Sequence, residues 1–357
     1  MDYTHGGDIY SQEILWDFSA NVNPFGMPDK VKSAVLQALD SSSCYPDSRC
    51  SKLNKEIAAF HHLSENMVLC ANGAADLIFQ LVFALRPSRA LILAPSFSVY
   101  EQALSAAGCL VYPIYLHEDN GFAIQVESII AVAKEMEARG KKAELLFLCN
   151  PNNPTGAALS KEEMERFADF AQEHQIFLLL DECFLDFVKQ SDKFSLISRL
   201  NDFSYLIILK SFTKLYAMPG LRLGYCLTGN FSLLNKMKIV RQPWSVSNLA
   251  QEAGIAALKE EEYRKKTIQM IEEGRRQLTQ GLSKLGFFVF PSMANYIFFR
   301  DEEEKRANGQ LYELCRQNKL LIRSCANYRG LDGRYYRVCV KTAEENQILL
   351  NLLEQVL

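Results

Sequence analysis

From about residue 50 the chain alternates two kinds of pattern. Short, continuously apolar runs occupy residues 67–71, 90–94, 111–115, 145–149, 176–180, 205–209 and 223–227. Between them lie stretches with helical spacing, at 51–62, 74–85, 98–107, 126–138 and 161–174. Strands that are apolar at every position are buried on both faces, and their alternation with helices predicts an α/β fold with a mostly parallel, seven-stranded sheet flanked by helices. A long charged helical pattern follows at 249–284, and then fewer strands (287–290, 296–300, 320–323, 336–340) with helices at 309–317 and 344–356. That second region reads as a smaller α+β domain, with 249–357 forming a linking helix and this domain, and 29–248 the large one. Residues 1–28 keep neither period. His5-Gly6-Gly7, Asn21-Val22-Asn23-Pro24 and Phe25-Gly26-Met27-Pro28 punctuate them, so they form an irregular arm lying on the rest of the chain, part of it with the small domain, or on a second subunit. Asp29 is expected to cap an amphipathic helix running to about Leu39.

A length of 357 residues exceeds the usual size of one core, in keeping with two domains. The net charge of -3 gives no electrostatic case for nucleic acid or a membrane surface. Ten cysteines are scattered without a C-x-x-C pair, and the five histidines lack ligand spacing to them, so neither a disulfide framework nor a metal site is expected. Scattered thiols, no signal-peptide pattern and no apolar run long enough to span a bilayer together imply a cytoplasmic protein.

In open parallel sheets, ligands bind beyond the carboxyl ends of the strands. Four segments at those ends carry unusual residues. Asn72-Gly73-Ala74-Ala75-Asp76 opens a helix with small residues, where backbone N–H groups can approach a phosphate, although a simple turn would look the same. Asn150-Pro151-Asn152-Asn153-Pro154-Thr155-Gly156 makes a rigid loop that can hold a side-chain amide. Asp181 directly follows five apolar residues, and a carboxylate there needs a cation or strong donors: a protonated cofactor ring nitrogen or a structural ion pair would serve. Ser211-Phe212-Thr213-Lys214 leads through Gly220 to Arg222 and Gly224. A lysine in that apolar setting can be an amine nucleophile, and Ser211 and Arg222 suit a phosphate.

Taken in order, these four segments resemble the fold-type I pyridoxal 5'-phosphate (PLP) enzymes of the aspartate aminotransferase superfamily, and the likeness spans essentially the whole chain. The resemblance implies that Lys214 carries PLP as a Schiff base and later moves protons, and that Asp181 pairs with the pyridine nitrogen. It implies that Asn153 bonds the ring 3'-oxygen, that Phe97 stacks on the ring, and that Ala74, Ala75, Ser211 and Arg222 hold the phosphate. Tyr45 matches a tyrosine that reaches the phosphate of the partner subunit, which implies a homodimer with shared active sites. One departure stands out: Phe184 replaces the tyrosine common three residues after the aspartate, so the 3'-oxygen is expected to rest mainly on Asn153 and the Schiff base pKa to be higher.

Within the superfamily the chain is similar to the L-threonine-O-3-phosphate decarboxylases of cobalamin biosynthesis and to the histidinol-phosphate aminotransferases. The His5-Gly6-Gly7-Asp8-Ile9 opening, the segment from Asp17 to Pro28 and the segment from Ile322 to Arg337 favour the decarboxylases. In that resemblance His5, Asn21, Arg323 and Arg337 contact the phosphate and carboxylate of a small phosphorylated amino acid. The alternative is transamination of a phosphate-bearing amino acid or amine. A nicotinamide dehydrogenase would need a G-x-G-x-x-G after a strand, and none is present. A non-catalytic binding protein on this fold would have no use for Lys214.

Overall fold

The computed structural model describes residues 5–303 and 307–357. Its strands are β1 (Trp16–Asp17), β2 (Val68–Ala71), β3 (Arg89–Ala94), β4 (Leu110–Tyr115), β5 (Leu145–Cys149), β6 (Phe177–Asp181), β7 (Leu206–Ser211), β8 (Gly224–Leu227), β9 (Phe288–Val289), β10 (Tyr296–Arg300), β11 (Leu320–Leu321), β12 (Arg323–Ser324) and β13 (Tyr335–Cys339). The apolar runs assemble as the seven-stranded sheet β2-β8-β7-β6-β5-β3-β4. Neighbours from β7 through β4 are parallel, and β8 runs antiparallel to both β2 and β7.

Burial on both faces follows from the two-residue period of a strand. Leu69 and Ala71 of β2 enter one core layer with the helices Ala74–Leu85, Ser98–Ala106 and Phe231–Val240. Val68 and Cys70 enter the other, with the helices Ser51–His61, Val126–Ala138, Lys161–Glu173 and Asn248–Ala257. Cys44 is the exposed cysteine; the other nine are buried and pack as small apolar groups.

A second, four-stranded antiparallel sheet has the order β12-β13-β10-β9. The helices Glu261–Lys284 and Ala343–Val356 pack on each other, and the former also lies against β9 and β10. The arm is stitched to this region. β1 pairs in parallel with β11, Phe18 N–H donates to the Leu321 carbonyl at 2.8 Å, and Cys339 N–H donates to the Phe18 carbonyl at 2.7 Å. Among the described residues no helix is long and apolar enough to cross a membrane.

Three local expectations are corrected. Asp29 does not cap its helix: Pro28 holds that position in an extended conformation without a side-chain cap, and Asp29 is the first helical residue, where its charge suits the N-terminal dipole. The stretch 249–284 is not one helix but two, Asn248–Ala257 and Glu261–Lys284. The first is rich in small apolar residues and packs on the helix Asp29–Ala38; the second is charged and serves the other sheet, so the chain breaks where its packing partner changes. The run 320–323 splits at Ile322, because Leu320–Leu321 pairs with the arm while Arg323–Ser324 joins β13.

Candidate active site

The strand register brings the special residues to one edge. Asp181 pairs across to Cys149 and Leu209, while Ser211 and Ala71 both pair with Gly224. Beyond that edge lies a cavity of about 320 Å³. Ala74, Ala75, Phe97, Asn153, Asp181, Ser211, Lys214 and Arg222 line it from the large sheet and its loops. Arg323 and Arg337 line it from the small sheet, and His5 and Asn21 from the arm. Of the residues singled out from the sequence, Tyr45 lies elsewhere: it is 80% exposed and stacks on Trp244, ring centroids 4.7 Å apart.

One end of the cavity is an anion cradle. The helix Ala74–Leu85 starts after Gly73 with no side-chain cap, so its first N–H groups remain available. A Cβ on Gly224 would come within 2.6 Å of the Ala74 nitrogen, and one on Gly73 within 2.8 Å of an Arg222 guanidinium nitrogen. These two glycines therefore let the strand start, the helix start and the guanidinium meet. Ser211 and Thr213 share a hydroxyl hydrogen bond of 2.8 Å beside them. A helix N-terminus, a guanidinium and two hydroxyls suit a phosphate dianion.

The middle of the cavity holds Lys214 and Asp181. Burial first, and then the Arg337 guanidinium, with a smaller push from Arg222, hold the Lys214 amine below the usual lysine range. Its backbone is fixed by the arm, where Asn23 N–H donates to the Lys214 carbonyl at 3.1 Å. Asp181 is buried, and its Oδ1 accepts the Cys183 N–H at 3.0 Å while its Oδ2 accepts the Tyr100 hydroxyl at 2.6 Å.

Three asparagines sit in the loop after β5, and they divide the work. Asn150 bonds the backbone of Leu159 on both of its polar atoms, and Asn152 bonds the Pro95 carbonyl and Thr155; both are structural. Asn153 faces the cavity. Its Oδ1 accepts from Arg337 and, at 3.2 Å, from the Tyr328 hydroxyl. Arginine has donors only, so the oxygen must face it, and the Asn153 Nδ2 donor is left for a ligand.

The far end carries the other cations. Arg337 also donates to the Ser19 carbonyl at 3.1 Å and lies over the Tyr296 ring, and its Nε has no partner among the described residues. Arg323 donates to Asn327 Oδ1 at 2.7 Å and lies over Tyr328. The buried Asn21 Oδ1 is likewise without a partner among the described residues. His5 sits 5.7 Å from Phe97, ring centre to ring centre. Two guanidiniums, one of them with an unmatched buried Nε donor, suit a ligand with two anionic groups.

Sequence reasoning missed Tyr100, Thr213 and Tyr328. Thr213 lay inside the segment that was read, and Tyr100 follows Phe97 by one helical turn, a spacing that places the two on one face. Tyr328 carried no local signal.

The donor set fits PLP: an anion cradle, a buried carboxylate for a ring N–H, a fixed amide donor, an aromatic face and a lysine with a depressed pKa. The comparisons agree. Residues 13–353 match the model of the family described as aminotransferase class I and II. The threonine-phosphate decarboxylase of Salmonella typhimurium is 37% identical, over 99% of this chain and 96% of that protein. The solved histidinol-phosphate aminotransferase of Clostridium acetobutylicum superposes with a TM-score of 0.87 at 30% identity, covering 96% of this chain and 99% of that one. The L-threonine-O-3-phosphate decarboxylase of Porphyromonas gingivalis does so with a TM-score of 0.82 at 26% identity, covering 95% and 98%. With Lys214, Asp181 and the anion cradle gathered at one sheet edge, the chain belongs to the class I and II aminotransferase family of PLP-dependent enzymes.

Proposed function

We propose that this chain decarboxylates L-threonine O-3-phosphate to (R)-1-aminopropan-2-yl phosphate, a step of cobalamin biosynthesis, as a cytoplasmic homodimer. The observation that carries the reading is the far end of the cavity, where Arg323, Arg337, His5 and Asn21 converge from three parts of the chain. Two guanidiniums suit a substrate with both a carboxylate and a phosphate. The arm that brings His5 and Asn21 contains the opening segment that favoured decarboxylation.

Bound in this cavity, PLP supplies an electron sink conjugated to the bonds at the substrate Cα. Ser211, Arg222 and the N–H groups of Ala74 and Ala75 hold its phosphate, and Phe97 covers a ring face. Asp181 keeps a proton on the ring nitrogen, and Asn153 Nδ2 donates to the 3'-oxygen. Lys214 Nζ would hold the cofactor at its aldehyde carbon and would be the group that holds a proton for the substrate Cα. Arg337 and Asn21 would bind and orient the substrate carboxylate, and the cofactor would supply the sink for the electron pair of its bond to Cα. Arg323 and His5 hold the substrate phosphate. The exposed apolar side chains of Leu36, Leu39, Tyr45 and Trp244 support a second copy docking beside Tyr45.

The likeness to the Clostridium aminotransferase supports a second reading, transamination of a phosphate-bearing amino acid or amine. PLP-loaded protein is given threonine phosphate, and separately histidinol phosphate with 2-oxoglutarate. Release of CO2 without glutamate is expected; glutamate alone overturns the decarboxylase reading.

A further inference from the structure

Asp181 ends β6, and its two oxygens are held by different elements. Oδ1 takes a backbone N–H from its own turn, at Cys183, and Oδ2 takes the hydroxyl of Tyr100 from the helix Ser98–Ala106. Donors on separate oxygens fix the plane of a carboxylate. The donor itself has little freedom. The Tyr100 ring is fully buried, stacks on Phe147 of β5 at 4.8 Å and 15°, and stands edge-on to Phe97 at 5.6 Å and 89°. Burial, and then the negative charge of Asp181, keep the phenol proton in place, so the group remains a donor.

Packing alone does not call for a tyrosine here. A phenylalanine would fill the same space between Phe147 and Phe97 without the cost of burying a hydroxyl, which is recovered only when that hydroxyl is bonded. The hydroxyl is spent on the one carboxylate that lines the cavity among the described residues, and the same ring backs Phe97.

We propose that Tyr100 is a positioning residue: its hydroxyl sets the plane of the Asp181 carboxylate while its ring supports Phe97. The inference rests on the reading of Asp181 as the partner of the cofactor ring nitrogen.

The test measures PLP dissociation constants and the visible absorbance of bound cofactor for the wild type, Tyr100→Phe, Asp181→Ala and the double variant. Loss of one charge-assisted hydrogen bond corresponds to about tenfold weaker PLP binding in Tyr100→Phe. A shifted absorbance and a lower kcat at nearly constant KM are expected with it. In the double variant, the Tyr100 change is expected to add less than about twofold to the effect of Asp181→Ala, since coupled groups are not additive. Wild-type affinity and absorbance in Tyr100→Phe beside an impaired Asp181→Ala, or full additivity, overturn the role of Tyr100 and leave Asp181 standing. Wild-type behaviour of Asp181→Ala removes the reading of Asp181, and the role of Tyr100 falls with it. Tyr100→His keeps an aromatic ring with an N–H donor and is expected to bind cofactor better than Tyr100→Phe. The reverse order also overturns the proposal.

Discussion

Two lysines four residues apart, Lys210 and Lys214, show how differently one residue type behaves at the same sheet edge. Lys210 is buried in β7, 2.6 Å from Asp186 and 3.6 Å from Glu182, which in turn accepts the Ser195 hydroxyl at 2.9 Å. Burial pulls the Lys210 amine down, but Asp186 and Glu182 outweigh it and raise its pKa. Burial pushes Glu182 up to about 7 against the pull of Lys210. Lys214 is also enclosed, yet its charged neighbours are Arg337 and Arg222, and its pKa is lowered. A paired lysine is a fixed cation; a lysine among cations is a nucleophile. The partners, and not the degree of burial, separate structure from chemistry.

That contrast can be broken in four ways. Lys214→Ala is expected to reduce turnover by about 10⁴-fold or more, as for loss of a nucleophile that also transfers protons. CO2 release at saturating PLP measures it, and a loss below about tenfold would make Lys214 a bystander. Lys210→Met should instead cost about 3 kcal/mol of stability, because it strands the buried Glu182 and the half-buried Asp186. Urea unfolding reads this, and an unchanged midpoint would show that the cluster is not an ion pair.

Lys214→Met in the cofactor-free protein should melt roughly 2 °C higher at neutral pH. The sign follows from linkage: a lowered amine pKa makes the wild type gain stability as pH rises toward the ordinary lysine value of 10.5. The advantage of the variant should therefore shrink over that range, and a constant difference would argue against a depressed pKa. The smallest effect is expected for Glu182→Gln. With a carboxyl raised from 4.5 to about 7, the wild type loses stability as pH climbs through that interval and the amide does not. The midpoint of the variant should rise relative to the wild type across the same interval; a fall would mean that Lys210 dominates.

The contrast also marks what the sequence made legible. The large sheet was readable because each of its strands is built on a continuous apolar run, and all but the partly exposed edge strand β4 are buried on both faces. Lys214, Asp181, Asn153, Ser211 and Arg222 stood out because polar residues placed directly after such runs are costly without a purpose, and the structure brings all five to one cavity. Lys210 carries the same local signal as Lys214, and only the fold reveals that Asp186 reaches it. Tyr100 was hidden for the opposite reason, since an aromatic in a core helix looks like packing until its hydroxyl is traced to Asp181. Pairings between distant short segments, β1 with β11 and Arg323–Ser324 with β13, have no local pattern and were out of reach.

The pairing of β1 with β11 has a consequence for how the molecule is made. The arm that delivers His5 and Asn21 leaves the ribosome well before the strand it pairs with, which emerges about 300 residues later, a delay of roughly 15–60 s at ordinary elongation rates. Throughout that interval Phe18, fully covered in the finished protein, is without its β13 neighbours. The cavity is therefore completed only once residues 320–337 have followed the arm out, and until then nascent chains hold a sticky, unpaired segment.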